Sequence, residues 1–343
     1  MLDPFPRIIL ARGIGMFSTG RDPVSAVTAQ DIYKHTIDVI KSAQAIGTYT
    51  SLSDQSAFNV EYWPLELYKL TLTSADREFS RRVVLVTGAG NGIGKSIAQC
   101  FAAEGASIAI TDVDLGAAEQ LSEELNKKYG KGRATALPLD VTKPEQVASA
   151  FKELRLAYGG LDILVSNAGI APVGAIHELS LRDWQRAMDI NATGHFLVAQ
   201  ESIKLMREQN MGGSLVFVGT KNVPSPGKDF GAYSASKAAE VQLARVLAIE
   251  NGEYGIRVNI VNPDAVFQGS NLWSTELKEQ RSKAHGITVE ELEGFYRDRN
   301  LLKETISGED VAESVLFLAG PRSSKTTGAM LPVDAGLRDA FPR

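Results

Sequence analysis

From Arg81 onward, short β-branched runs recur at Val83–Thr87, Ser107–Thr111, Ala134–Leu139, Ile163–Ser166, Ser214–Val218, Arg257–Val261 and Ala329–Val333. Each run is apolar nearly throughout, and longer stretches of helical periodicity separate them. Strands covered by helices on both faces carry that signature, so the pattern predicts a parallel sheet between two helical layers. Residues 265–305 break the rhythm with a polar, helical stretch marked by Leu272, Leu277, Leu292, Phe295 and Leu301. An insertion there, between the last two strands, is expected to act as a substrate lid.

Residues 1–80 show no alternation of strands and helices. A helix is expected to begin at Asp22-Pro23, an N-cap followed by proline in the first turn, and to stop at Gly47. Val24, Val27, Tyr33, Ile37 and Ile40 give it a rough apolar face. A second helical stretch follows Ser53-Asp54 and is interrupted at Pro64, in a segment made aromatic by Phe58, Tyr62, Trp63 and Tyr68. This piece is too small for a core of its own and reads as an appendage. The expected division is therefore 1–80 and 81–343.

Composition narrows the function classes. The chain has 343 residues, 44% hydrophobic and 22% charged, which is ordinary for a globular protein. With 36 basic and 41 acidic residues the net charge is −5, so no global positive field exists to hold a phosphate backbone, and nucleic acid is not an expected partner. The single cysteine, Cys100, cannot form an intrachain disulfide, which fits a reducing cytosol; it reads as a small core filler. No apolar run approaches the roughly 18 residues of a membrane span. Met1–Arg7 lacks the basic start and apolar stretch of a signal peptide. The expectation is a soluble, cytoplasmic protein with no membrane association. His35, His177, His195 and His285 form no close pair with metal-ligand spacing, so no metal site is expected; His177 and His195 either border the active site or play neutral surface or core roles.

The first predicted strand runs into Thr87-Gly88-Ala89-Gly90-Asn91-Gly92-Ile93-Gly94, and a helix opens behind it at Ile97, Ala98 and Phe101. Glycines permit a tight turn and close backbone approach to a pyrophosphate, and a helix N-terminus supplies free N–H groups. Asp112, eighteen residues past Gly94, ends the next strand. A carboxylate there either accepts from ribose hydroxyls and repels a 2′-phosphate, favouring NAD, or merely caps the strand end. Position 91 carries Asn91 rather than a basic residue, which also favours NAD.

The ordered set Gly88…Gly92…Gly94, Asn167-Ala168-Gly169 and Tyr233-Ser234-Ala235-Ser236-Lys237 resembles the short-chain dehydrogenase/reductase family over residues 81–343. More narrowly, the chain resembles the dehydrogenase half of bifunctional rhamnulose-1-phosphate aldolase/alcohol dehydrogenase proteins. The residues that carry this are Glu61–Leu70, Val218-Gly219-Thr220-Lys221-Asn222, Asn262-Pro263-Asp264-Ala265 and Leu337–Arg343. On that resemblance residues 1–80 are similar to the tail of a class II aldolase half plus a linker, and the bulk of that half is absent. The fold implied is α/β, a doubly wound Rossmann-type parallel sheet of about seven strands with a short helical N-terminal extension.

Tyr233 and Lys237, four apart, project from one helix face. A phenol is a poor base near neutrality, and an ammonium beside an oxidised nicotinamide would move it toward the working range. The resemblance places a substrate-bonding serine thirteen residues before the tyrosine; this chain has Thr220, whose hydroxyl has the same donor and acceptor capacity. Failing that, chemistry is impaired, or Lys221 or Asn222 polarises the substrate. Asn191 matches the family asparagine of the proton relay, or bonds nearby backbone. Asn167, Ala168 and Gly169 would approach the adenosine ribose, and Asp140 and Val141 the adenine, unless Asp140 only caps a turn. Pro263 and Val266 would border the nicotinamide. Asp264, where the family usually has glycine, either recognises a substrate hydroxyl or caps a turn. The implied enzyme transfers hydride between NAD and a small hydroxy or carbonyl compound, with lactaldehyde from rhamnose breakdown as substrate. The rival reading is a low-turnover nucleotide-binding or assembly subunit serving a separate aldolase. Relatives assemble as dimers or tetramers, here through helices near Trp184–Met206 and Tyr233–Glu250.

Overall fold

A computed structural model describes residues 5–72, 76–270 and 272–341. Met1–Pro4, from the N-terminal reading, and Pro342–Arg343, from the C-terminal resemblance, lie outside the described residues. The chain divides into two compact units, Met1–Ser80 and Arg81–Arg343.

The first unit is not purely helical. It opens with an antiparallel hairpin, β1 (Ile8–Ala11) and β2 (Gly15–Ser18), closed by a three-residue turn in which Ile14 N donates to Ala11 O at 3.1 Å. Gly13 takes the left-handed conformation (φ 77°) that such a turn requires. Four-residue strands are too short to display a period, which is why the expectation of an all-helical extension fails here. Helix α1 (Pro23–Ile46) starts where Asp22 accepts from Ser25 N at 2.7 Å, and Gly47 ends it. Helix α2 (Asp54–Glu61) is capped by Ser53, and Pro64 opens α3 (Pro64–Thr71).

In the second unit seven strands form one parallel sheet: β3 (Val83–Thr87), β4 (Ser107–Asp112), β5 (Ala134–Pro138), β6 (Ile163–Ser166), β7 (Gly213–Val218), β8 (Ile256–Pro263) and β9 (Met330–Val333). Their order is β5-β4-β3-β6-β7-β8-β9, with every neighbouring pair parallel. The strands β3, β4 and β6 are buried along their whole length, which fits the apolar runs at their centres. Helices α4 (Gly92–Ala103) and α12 (Gly308–Ala319) pack on each other and on the sheet. Helices α6 (Pro144–Tyr158), α8 (His195–Gln209) and α9 (Gly231–Asn251) form another contacting set, and α5 (Leu115–Tyr129) lies against β4 and β5. Chain direction across the sheet reverses between β3 and β6. That reversal opens a crevice at the carboxyl ends of the strands, where such sheets bind ligands.

The stretch between β8 and β9 holds α10 (Thr275–His285) and α11 (Leu292–Arg299). Trp273, Leu277, Leu292 and Tyr296 pack with Phe230 and Tyr233 into a separate small core. Phe267 stacks on Trp273 at 4.1 Å between ring centroids, with Tyr296 edge-on at 5.4 Å from Trp273. This insertion is thereby fastened beside the ring of Tyr233. Among the described residues no helix is long and apolar enough to cross a membrane.

Candidate active site

The glycine loop joins β3 to α4. Gly88 has φ 62°, and a Cβ there would lie 2.9 Å from the Ala168 backbone. A side chain at Gly94 would run into the Gly88 carbonyl and come within 2.6 Å of Asn167 Nδ2. Any substituent would therefore push the start of α4 off the strand. Asn91 takes extended backbone (φ −151°) as the N-cap, and Gly92 and Ile93 form the first helical turn. Asn167 ties the neighbouring strand to this loop: its Nδ2 donates to Thr87 O at 2.9 Å and Gly88 O at 3.0 Å. The Asn167 and Ala168 N–H groups both donate to Thr87 Oγ1, at 2.9 and 3.1 Å.

Asp112 is buried at the end of β4. Its Oδ2 accepts from Gly90 N at 2.8 Å and its Oδ1 from Asp114 N at 2.9 Å. It therefore shapes the loop, and each oxygen retains acceptor capacity. Asp140 caps its own turn, Oδ1 accepting from Thr142 N at 2.9 Å and Thr142 Oγ1 at 2.7 Å. Val141 is buried beside Gly194. The segment after β8 reaches back to the loop, where Gly92 N donates to Gly269 O at 2.8 Å. The close-packed glycines, the N–H groups opening α4 and the carboxylate at the next strand end together fit a dinucleotide cofactor.

Helix α9 presents Tyr233 and Lys237 on one face, both buried. The Tyr233 hydroxyl faces Thr220, and the ring lies 5.9 Å from Phe230. Burial pushes the phenol up from its ordinary range; Lys237 and Thr220 pull it back, while Glu240 and Asp264 push it further up. In the protein alone burial therefore outweighs the lysine. Lys237 Nζ donates to Val218 O at 2.8 Å and pairs with Glu240 Oε2 at 2.6 Å. An ammonium has three N–H groups, so one remains for a cofactor hydroxyl. Thr220 is held from both sides: its N–H donates to Asn262 Oδ1 at 3.1 Å, and its Oγ1 accepts from Asn222 N at 3.2 Å.

Asn191 sits fully buried in a π-helical turn, Asp189–Gly194, between α7 (Leu181–Met188) and α8. Its Oδ1 accepts from Ile170 N at 2.9 Å, and its Nδ2 donates to Ile170 O at 2.8 Å and Ser236 Oγ at 3.0 Å. The side chain thus fixes the segment after Gly169 rather than offering a loose amide. A Cβ at Gly169 would lie 3.2 Å from Asn191 Oδ1 and 3.7 Å from Lys237 Nζ, so only a glycine leaves this approach open.

Pro263 ends β8 and accepts from Lys221 N at 3.1 Å, and Val266 is buried just beyond. Asp264, just past the end of β8, is buried and engaged in an ion pair. Its Oδ2 pairs with Arg299 Nη2 at 2.9 Å, clamping α11 to the end of β8. Arg299 also lies over the Tyr296 ring at 4.0 Å, and Arg281 over Phe230 at 4.9 Å. His195 is buried between Ser166 and Ala168, while His177 is exposed beside Glu178. Burial, then Glu313, pushes the Cys100 thiol up to about 11, an inert group. Among the described residues no cluster of three or more histidine, cysteine or acidic side chains could hold a metal ion.

Comparison with known proteins adds the following. Residues 88–338 match the family described as enoyl-(acyl carrier protein) reductase, and residues 1–70 match the second domain of aldolase class II. The uncharacterized oxidoreductase YuxG of Bacillus subtilis (strain 168) is 48% identical over 338 residues, covering 98% of this chain and 49% of that protein. The chain thus spans about half the length of that relative. The sorbitol-6-phosphate 2-dehydrogenase of Escherichia coli (strain K12) is 30% identical over 74% of this chain and 98% of its own length. The crystal structure of the Erwinia amylovora sorbitol-6-phosphate 2-dehydrogenase superposes with a TM-score of 0.71 at 29% identity, covering 74% of this chain and 98% of that one. A Brucella melitensis 3-ketoacyl-(acyl-carrier-protein) reductase complexed with NADH gives 0.65 at 28% identity, covering 75% and 98%.

Proposed function

Because the chain belongs to the short-chain dehydrogenase/reductase family, we propose that it is an NAD-dependent oxidoreductase acting on a small hydroxy or carbonyl compound. The observation that carries this reading is the pair Tyr233 and Lys237, buried one turn apart on α9, with Thr220 facing the phenol and Gly169 beside the ammonium. NAD, when bound, supplies the hydride acceptor for alcohol oxidation. Gly88, Asn91, Gly92, Ile93 and Gly94 would hold its pyrophosphate, and Asp112 its ribose hydroxyls, which disfavours NADP. Asp140, Val141, Asn167, Ala168, Gly169, Pro263 and Val266 would line its remaining length.

Thr220 holds the reacting oxygen by hydrogen bonding. Tyr233 takes the hydroxyl proton as the carbon–hydrogen bond breaks, and returns it in the reverse direction. Lys237 opposes the burial that keeps the phenol protonated, and Asn191 orients the backbone beside them. The resemblance to aldolase/alcohol dehydrogenase proteins, with the aldolase match at residues 1–70, supports lactaldehyde as the substrate. No aldolase step is assigned to the chain. A phosphorylated hydroxy compound is the second reading. Burial, reinforced by Arg299 and Arg281 against Asp264, presses the Lys221 ammonium down, an environment that would welcome an anion. The similar sorbitol-6-phosphate dehydrogenases point the same way.

The test is NADH formation with lactaldehyde, short diols and polyol phosphates, repeated with NADP. Tyr233→Phe should bind NAD normally and lose roughly 10²–10⁴-fold in rate. NAD binding without turnover of any compound, and no effect of Tyr233→Phe, would leave the assembly-subunit reading standing instead.

A further inference from the structure

Helix α9 carries a third ionisable group that the chemistry above leaves unused. Glu240 lies one turn past Lys237 on the same face and is 0% exposed. Its Oε2 sits 2.6 Å from Lys237 Nζ and its Oε1 3.6 Å from His195 Nδ1. Beyond that ion pair neither carboxylate oxygen has a hydrogen-bond partner among the described residues.

His195 is no donor to it. The imidazole Nε2 lies 2.8 Å from the Ala168 carbonyl and must carry its proton there. Nδ1 is then the acceptor for the Ser166 hydroxyl at 2.7 Å. Burial, with Lys237 adding to it, holds His195 neutral well below its usual range. Lys237 is therefore the counter-charge on which Glu240 depends.

A buried carboxylate is costly unless paired, and an apolar residue of similar volume would pack in its place without that cost. A charge kept there touches the ammonium that acts on the phenol. We propose that Glu240 is a positioning residue that holds Lys237 against Val218 and sets, by its own protonation, how much of the lysine's field reaches Tyr233. The proposal rests on Tyr233 being the acid–base group.

With Glu240 ionised, the pair is nearly neutral as seen from the phenol. With Glu240 protonated, the ammonium is uncompensated and favours phenolate. Burial pushes Glu240 up to about 7, with Lys237 pulling against it, so the change falls near neutrality. The ionisable groups facing this cluster are Lys237 and Tyr233 on α9 and His195 on α8, with Asp264 at the end of β8 acting on Tyr233. As pH falls, the phenol's own affinity for protons falls too, so phenolate is lost over a broader range than for an isolated tyrosine.

Glu240→Gln keeps an acceptor for Lys237 and removes the charge. The acid limb of the kcat/KM profile should move down by about 1 pH unit. The ultraviolet phenolate titration, taken as the difference from Tyr233→Phe, should move by a similar amount without any turnover. Glu240→Met carries the same test should the glutamine variant not fold. A phenolate titration that superimposes on the parent's would overturn the proposal. A parent that turns over no substrate would instead defeat the dehydrogenase reading, while the phenolate titration still decides the role of Glu240.

Discussion

Thr220 stands where the family resemblance expects serine, and its neighbours show what the substitution must preserve. The hydroxyl accepts from Asn222 N and faces Tyr233, so removing it strands a buried N–H. Thr220→Ser should stay within a few-fold of the parent kcat, whereas Thr220→Val should lose roughly 10- to 100-fold, by the worth of the bonds it deletes. Glu240 makes a second statement at this scale. Its carboxyl is raised from 4.5 to about 7 in the folded chain, so the fold keeps a proton that the unfolded chain releases. Its contribution to stability is therefore intact below about 4.5, declines as pH rises, and has gone by about 7. Glu240→Gln is free of that decline. The melting temperature of the variant should gain on the parent across this window and run parallel to it above, a relative gain of about 3 kcal/mol by linkage. Part of this was open to a reader of the sequence: Glu240 stands three residues past Lys237 and seven past Tyr233, the spacing of a single helix face. What sequence withheld was that this face is buried to its end.

At the scale of elements, the sheet was legible because parallel strands covered on both faces must be apolar over their central residues, as β3, β4 and β6 are. Helix starts at Asp22 and Ser53 were legible for an equally local reason, a side-chain oxygen answering an N–H three residues on. The hairpin of β1 and β2 was not, since its strands are shorter than any period they might show. Nor was the clamp between Asp264 and Arg299, whose partners lie 35 residues apart and meet only through the path of α10 and α11. That clamp is asymmetric, with side-chain exposure of 25% at Arg299 and 7% at Asp264. Removing the arginine takes the ion-pair partner from a buried carboxylate, whereas removing the acid leaves a cation that still reaches solvent and the Tyr296 ring. Arg299→Met should therefore lower the melting temperature more than Asp264→Asn. Both should speed proteolysis within residues 265–305 and raise substrate KM more than they lower kcat.

For the molecule as a whole, the arrangement of seven parallel strands around one reversal point determines where ligands gather, and the identities of a few side chains determine what is done to them. We propose that assembly runs through α8 and α9. Phe196 on α8 and Val246 and Ile249 on α9 are apolar and exposed, Ile249 at 83%. We expect light scattering to give the mass of a dimer or tetramer, and Ile249→Glu to shift it toward the monomer. An unchanged mass in that variant would place any contact elsewhere.

The hydrogen bond from Gly92 N to Gly269 O joins the glycine loop to the insertion that also bears the aromatic wall around Tyr233. One tether therefore spans the two halves of the crevice. A movement of the insertion at one end of this tether is therefore felt at the other.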